Sequence, residues 1–379
     1  MIPRIIAPQI SAKLRAGGKA VILYGARQVG KTTLVRQVLS ELPYRTLVVN
    51  ADEAEFVEVL SSRSLARLRE LVAGYDALFV DEAQRVPEIG LNLKLLVDHE
   101  PNLRLIATGS SLLDLAGKTQ EPLTGRAWVY TLYPIALAEL GAQMSAFELR
   151  RMLDERLVFG SYPEIFSLVG HADRRSYLRT LVASYLYKDV LEIGGVRNSV
   201  KLRQLVRLLA FQIGQEVSLS ELGTQLGMSK DTVANYIDLL EQTFVVFRLA
   251  GFSRNLRKEV TKMQKVYFWD LGVRNVVIDN LQPLDMRDDA GRLWENFVIA
   301  ERLKLLAYSG ALGSLYFWRT HTGAELDIVE EREGRLYGFQ VKWGQQSKAR
   351  LPQSFLDSYP GALLGVIRPD DLSYLLRVE

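Results

Sequence analysis

Residues 25–33 read Gly-Ala-Arg-Gln-Val-Gly-Lys-Thr-Thr, and no other stretch of the chain leaves so few structural choices. They follow the apolar run Ala20-Val-Ile-Leu-Tyr24 and open a helix-like segment that continues to Leu39. Strand, glycine loop and helix start is the order that a phosphate-binding P-loop requires. Gly25 and Gly30 let the backbone turn tightly, so that successive N–H groups converge on one anion. The helix start adds unpaired donors and the positive end of its dipole. Lys31 would reach the β- and γ-phosphates and the Thr32 hydroxyl would ligate Mg²⁺, while Gly25, Ala26, Arg27, Gln28, Val29, Gly30 and Thr33 complete the cradle. The expectation is a nucleoside triphosphate site, with ATP and Mg²⁺ as cofactors.

The rest of the chain is organised behind that loop. At 379 residues it is too long for one ordinary core, and two to four domains are expected. Hydrophobic residues at 48% and charged residues at 24% are the proportions of a soluble globular protein. A net charge of +3 demands no nucleic-acid partner, so only local clustering could argue for one. The absence of cysteine, with His99, His171 and His321 the only histidines, argues against zinc. Neither haem nor flavin is expected. The N-terminus lacks a signal peptide's apolar core, and no run reaches the ~18 apolar residues of a membrane span. A cytoplasmic location without a membrane partner is the expectation.

Tyr75-Asp-Ala-Leu-Phe-Val-Asp81-Glu82 is an apolar strand ending abruptly in two acids, the Walker B pattern. Asp81 is placed to hold Mg²⁺ through its waters, and Glu82 to orient and deprotonate the attacking water. The next strand, Leu103 to Thr108, runs into Gly109-Ser110, and either Thr108 or Ser110 is a candidate γ-phosphate sensor. Arg126, in Leu-Thr-Gly-Arg, is the candidate arginine for charge on the transferring phosphate, in cis or from a neighbouring subunit. Arg27, Arg85 and Arg104 are weaker candidates. Alternating strands and helices predict an α/β domain over residues 1–140, with a parallel sheet and ligands at the carboxyl ends of its strands.

From 141 to 195 the pattern turns helical and predicts a lid or linker. Over 196–252, Ser218 and Glu221 have capping-box spacing, Gly227 ends that helix, and Ser229 caps a second with Val233, Ile237 and Leu240 buried. A strand from Thr243 to Leu249 follows. Helix, glycine turn, helix, strand is the outline of a winged helix, with Ser229, Lys230, Thr232, Asn235 and Tyr236 on the face that could enter a major groove. Arg254, Arg257, Lys258, Lys262 and Lys265 could track a phosphate backbone, although a charge run is usually a solvated face.

Residues 253–379 give the order helix, three strands, helix, strand, which is the core order of restriction-endonuclease-like domains. Their metal site uses a helix glutamate, a strand aspartate and Glu-x-Lys on the next strand. Here Glu295, Asp327, Gln340 and Lys342 would fill those places as a possible second metal site. Gln340 leaves the site one negative charge short, and Glu325 is positioned to compensate.

With these landmarks in place, the chain resembles a broad family of prokaryotic AAA-type ATPases in which a P-loop domain precedes a winged helix and a restriction-endonuclease-like domain of unknown function. The resemblance rests on Gly25 to Thr33, Val80-Asp-Glu-Ala-Gln84, Thr108-Gly-Ser-Ser111, Leu123 to Arg126, Phe268-Trp-Asp-Leu-Gly272 and Trp294-Glu-Asn-Phe-Val298. It implies ATP binding and hydrolysis in a homo-oligomer, with a ring among the possibilities. The leading functional expectation is an ATP-hydrolysing enzyme acting on DNA as a motor or remodeller. The alternatives are an ATP-gated DNA- or protein-binding switch with slow hydrolysis, and an ATP-coupled metal-dependent nuclease.

Overall fold

In the computed structural model, residues 2–110, 123–186, 190, 198–253, 264–344 and 350–378 are described. The chain divides into two compact units, Met1–Pro134 with Gln242–Phe244, and Ile135–Glu241 with Val245–Glu379.

The first unit is built on five short strands: β1 (Ala20–Tyr24), β2 (Thr46–Asn50), β3 (Ala77–Asp81), β4 (Arg104–Gly109) and β5 (Ala127–Thr131). They form one sheet in the order β2-β3-β4-β1-β5, and every neighbouring pair is parallel. All five residues of β1 are buried, as expected of a central strand whose two faces are both covered. Helices such as α1 (Ala7–Ala16) and α2 (Lys31–Ser40) connect or flank these strands. Leu34, Val35, Val38 and Leu39 are the buried stripe of α2. This is the parallel-sheet α/β domain that the strand and helix pattern predicts.

Because β4 lies between β1 and β3, its end is a neighbour to both. Leu23 pairs with Thr108 on one side, and Val80 pairs with Ala107 on the other. The glycine loop, Asp81 and Thr108 are therefore carried to one edge of the sheet by strand ends.

The second unit opens with helices that include α6 (Leu137–Gly141), α7 (Ala146–Phe159) and α8 (His171–Leu181). Three more, α9 (Ser199–Phe211), α10 (Leu219–Leu226) and α11 (Lys230–Gln242), precede an antiparallel pair, β6 (Val246–Ala250) with β7 (Gln264–Phe268). The capping pattern is realised: Ser218 Oγ accepts from the Glu221 N–H, Gly227 adopts φ 60°, and Ser229 Oγ accepts from the Thr232 N–H. After α12 (Leu271–Val277) comes the long helix α13 (Ala290–Ser309). Then β8 (Gly313–Arg319), β9 (Glu325–Arg332), β10 (Arg335–Val341) and β11 (Leu363–Ile367) form a second sheet in the order β11-β10-β9-β8. Only the β10–β11 pair is parallel in that sheet.

Apart from Gln242–Phe244, the segments expected as lid, winged helix and C-terminal domain fall within this one unit. The boundary expected at 252/253 cuts the β6–β7 hairpin. The physical reason is α13, whose buried polar side chains reach distant segments. Asn296 accepts from the Phe268 N–H and donates to the Phe268 carbonyl. Glu301 accepts the Leu137 N–H and pairs with Lys304 at 2.9 Å and with Arg156 at 3.3 Å. Buried charges persist only when paired and hydrogen-bonded, so this network holds α6, α7 and α13 to one arrangement.

Candidate nucleotide site

The loop 25–30 turns at two glycines whose backbone angles would strain most other residues. Gly25 has φ 153°, and a Cβ there would run into the backbone carbonyl of Leu132. Gly30 has φ 95° and forms the left-handed turn into α2. Lys31 is 6% exposed and arches back over the loop, donating from Nζ to the carbonyls of Gly25 at 2.8 Å and Ala26 at 3.0 Å. Arg4, outside every sequence motif, buttresses the loop from behind. Its guanidinium donates to the Val29 carbonyl at 2.9 Å and to the Tyr133 carbonyl at 2.6 Å. Its signal in the sequence is weak, because it lies outside the P-loop motif and 25 positions from its partner.

Across from the loop, the Thr32 hydroxyl donates to Asp81 Oδ2 at 2.8 Å. These are the two groups expected to share a Mg²⁺ ion, and they already lie within one hydrogen bond of each other. A hydroxyl and a carboxylate are hard oxygen donors of the kind Mg²⁺ selects, so the residues present fit that ion. Glu82 follows in a left-handed backbone conformation, φ 53°, with its N–H directed to Asp81 Oδ1 and to Thr108 Oγ1 at 3.3 Å. Thr108 is fully buried and its hydroxyl donates to Asp81 Oδ1. The structure thus engages Thr108 in organising the acidic couple, where a γ-phosphate sensor was expected. Gln84, two residues beyond the acidic couple's glutamate, also belongs to the site, a role the motif alone does not signal. Its Nε2 donates to Glu82 Oε2 at 2.5 Å and to Ser110 Oγ at 3.1 Å.

Arg126 is not brought to this place. It precedes β5, its carbonyl accepts the N–H of Ala20 at the opposite end of β1, and its guanidinium pairs with Asp98 at 2.6 Å. Five strand residues at ~3.3 Å each put it about 16 Å along the sheet from the strand ends that carry the loop and acids. A role for Arg126 on its own subunit's nucleotide is therefore not supported. Of the weaker candidates, Arg85 pairs with Asp52 at 2.6 Å, and Arg104 donates to the carbonyls of Pro101 and Asn102. Arg27 stays on the loop, half-buried.

The second candidate site is arranged differently from its expectation. The β8–β9 ladder slips between Tyr316↔Val329 and Trp318↔Leu326, a bulge at Asp327–Ile328 of the kind that re-aims side chains. Asp327 Oδ2 accepts the Val341 N–H at 2.7 Å. Glu295 accepts the Tyr267 hydroxyl at 2.6 Å. Between the carboxylates sits Lys265 of β7, 4% exposed, with Nζ 2.7 Å from Glu325 and 3.6 Å from Glu295. Burial works against this ammonium, but Glu295 and Glu325 outweigh it and leave its pKa raised. Burial also pushes Glu295 up to about 7, against the pull of Lys265, and raises Asp327.

Gln340 spends its amide on backbone groups, donating to the Glu325 carbonyl at 3.3 Å and accepting the Arg350 N–H at 3.2 Å. Lys342 lies near enough to Asp327 to favour its charged form. An ammonium of the chain itself thus lies among these carboxylates, and both polar ends of Gln340 are engaged by backbone groups. Among the described residues, no group of three or more acids or histidines is arranged to hold a metal ion. Lys265 is accordingly not one of the solvated cations expected to track a phosphate backbone; Arg254, Arg257, Lys258 and Lys262 lie outside the described residues.

A glycine loop, an acidic couple and a parallel sheet that brings them together define a P-loop ATPase fold. Comparison with known proteins agrees. An AAA domain profile matches residues 17–141, and two domains of unknown function, DUF8612 and DUF4143, match 150–284 and 290–374. The Walker-type ATPase of Pyrococcus abyssi superposes with a TM-score of 0.50 at 16% identity, over 73% of this chain and 96% of that one. An uncharacterized protein of Mycobacterium tuberculosis is 30% identical over 93% of this chain and 76% of its own length. Another, of Methanocaldococcus jannaschii, is 27% identical over 85% of this chain and 77% of its own. The chain belongs to this family of AAA-type P-loop proteins. Among the described residues, no helix is long and apolar enough to cross a membrane.

Proposed function

We propose that the protein binds ATP with Mg²⁺ between the glycine loop and Asp81-Glu82, hydrolyses it, and couples the cycle to DNA. The observation that carries this reading is the 2.8 Å contact between Thr32 and Asp81, made directly beneath a loop closed by Lys31. Backbone N–H groups of residues 25–33 and Lys31 would hold the triphosphate, and Thr32 with Asp81 would hold the ion. Mg²⁺, when bound, neutralises charge on the β- and γ-phosphates. Glu82 is placed beside Asp81 to take the proton of the attacking water.

The DNA half of the proposal rests on α10 and α11. Lys230 and Asn235 are exposed on α11, with Thr232 and Tyr236 half-buried beside them. A helix pair of this spacing with an exposed polar face and a following hairpin fits a winged helix set in a major groove. Because Arg126 is distant from its own loop, an arginine acting on the transferring phosphate would come from a second copy, and a homo-oligomer is part of the reading.

The test is phosphate release by the purified chain, with and without duplex DNA at several salt concentrations. Lys31→Ala should abolish nucleotide binding, and Glu82→Gln should keep binding while lowering turnover ~10²-fold or more. DNA should raise the wild-type rate in a salt-dependent way. Turnover that survives Lys31→Ala would refute the site, and a rate indifferent to DNA at every salt concentration would refute the coupling.

A further inference from the structure

Glu82 is fixed at both ends. Its N–H is taken by Asp81 and Thr108, and its carboxylate by Gln84. Gln84 is 9% exposed, and both of its contacts are made through Nε2, to Glu82 Oε2 at 2.5 Å and Ser110 Oγ at 3.1 Å. Among the described residues, its Oε1 is buried with no hydrogen-bond partner. Leaving a buried carbonyl oxygen unpaired is unfavourable. The amide therefore holds this orientation because of what its N–H groups do. Turned over, it would set its oxygen against the Glu82 carboxylate.

We propose that Gln84 is a positioning residue for ATP hydrolysis, orienting the Glu82 carboxylate and tying it to Ser110 at the end of β4. This rests on the ATPase reading above and extends it. The reaction served is a simple displacement. The water oxygen bonds to the γ-phosphorus, the bond from that phosphorus to the β–γ bridging oxygen breaks, and ADP leaves with those electrons. The water proton passes to Glu82 Oε1, the carboxylate oxygen that Gln84 does not engage. An amide is required at position 84, because a carboxylate there would repel Glu82 and an apolar side chain would leave it unheld.

The experiment compares the full chain with Gln84→Leu and Gln84→Glu, measuring nucleotide affinity with a fluorescent ATP analogue and turnover by phosphate release. Both variants should bind nucleotide within about twofold of wild type and lose ~10–100-fold in kcat at unchanged KM, the scale expected for a misplaced catalytic group. Intact affinity also reports that each variant is folded, and Gln84→Glu, nearly the same size, guards against a packing defect in Gln84→Leu. A residue that acts only through Glu82 adds nothing once that carboxylate is gone. The double variant Glu82→Gln, Gln84→Leu should therefore be no slower than Glu82→Gln alone. A kcat within about threefold of wild type, a faster variant, or a double variant slowed further would each overturn the proposal. A wild-type chain that neither binds nor hydrolyses ATP would sink the parent reading, and this one with it.

Discussion

Lys265→Met removes the ammonium from the acidic cluster and keeps most of the side chain's volume. What remains is Glu295, Glu325 and Asp327 facing one another, with the Tyr267 hydroxyl and Lys342 nearby and no ammonium in the centre. Lys265 is 4% exposed and Glu295 16%, so solvent does little to screen the loss. Removing one partner of a buried pair costs about 3–5 kcal/mol. The sign of the pH dependence follows from the shifts. Glu295 sits at about 7 in the fold against 4.5 as its ordinary value, so folding favours its protonated form. Its contribution is fully present below pH 4.5 and is lost as pH rises through about 7. Without Lys265 the carboxylates hold their protons more tightly still. The variant should therefore lose most relative to wild type near pH 8, and much less near pH 5.5. Urea unfolding at the two pH values measures this, and Lys265→Met with Glu325→Gln should recover part of the loss. A loss under about 1 kcal/mol, or one equal at both pH values, would refute the claim that Lys265 neutralises this cluster.

Two further outcomes follow from the same geometry. Gly25→Ala should abolish nucleotide binding, because a Cβ meets the Leu132 carbonyl and φ 153° strains any other residue; a fluorescent ATP analogue checks this, and retained affinity would refute it. Asp289, held at about 2 by Arg287 and Arg274 against the opposing effect of burial, gives stability that is present above pH 3.8 and lost as pH falls through about 2. Asp289→Asn should cost on the order of 2 kcal/mol at pH 7, with the gap from wild type closing below pH 4 in denaturant titrations.

How much of this was legible in the sequence depends on how local each signal is. The P-loop is contiguous, and its strand, loop and helix all follow from nearest-neighbour chemistry at Gly25, Gly30 and Lys31. Asp81 was legible for the same reason, as an acid ending an apolar strand. The caps at Ser218, Gly227 and Ser229 are equally local, and the structure realises each one. Thr108 was legible as a polar strand end beside the acids, but its hydrogen bond to Asp81 was not. Its role follows from β4 running between β1 and β3, and strand order is not written in any one strand. That Arg126 lies away from its own loop was hidden for a related reason, since its distance along the chain from β1 conceals that it enters β5 at the far end of the sheet.

The C-terminal cluster shows why spacing alone misleads. The fit of Glu295, Asp327, Gln340 and Lys342 to a metal-site pattern treats charge as a property of the pattern's own positions. The deciding charge comes from Lys265, on a strand paired with β6 and outside every motif. Read along the chain, that lysine belongs to a basic run and suggests solvent and phosphate. Read in the fold, it is buried among carboxylates. A single ammonium in contact with Glu325 and Glu295 thus makes an ion cluster that the pattern's own positions do not announce.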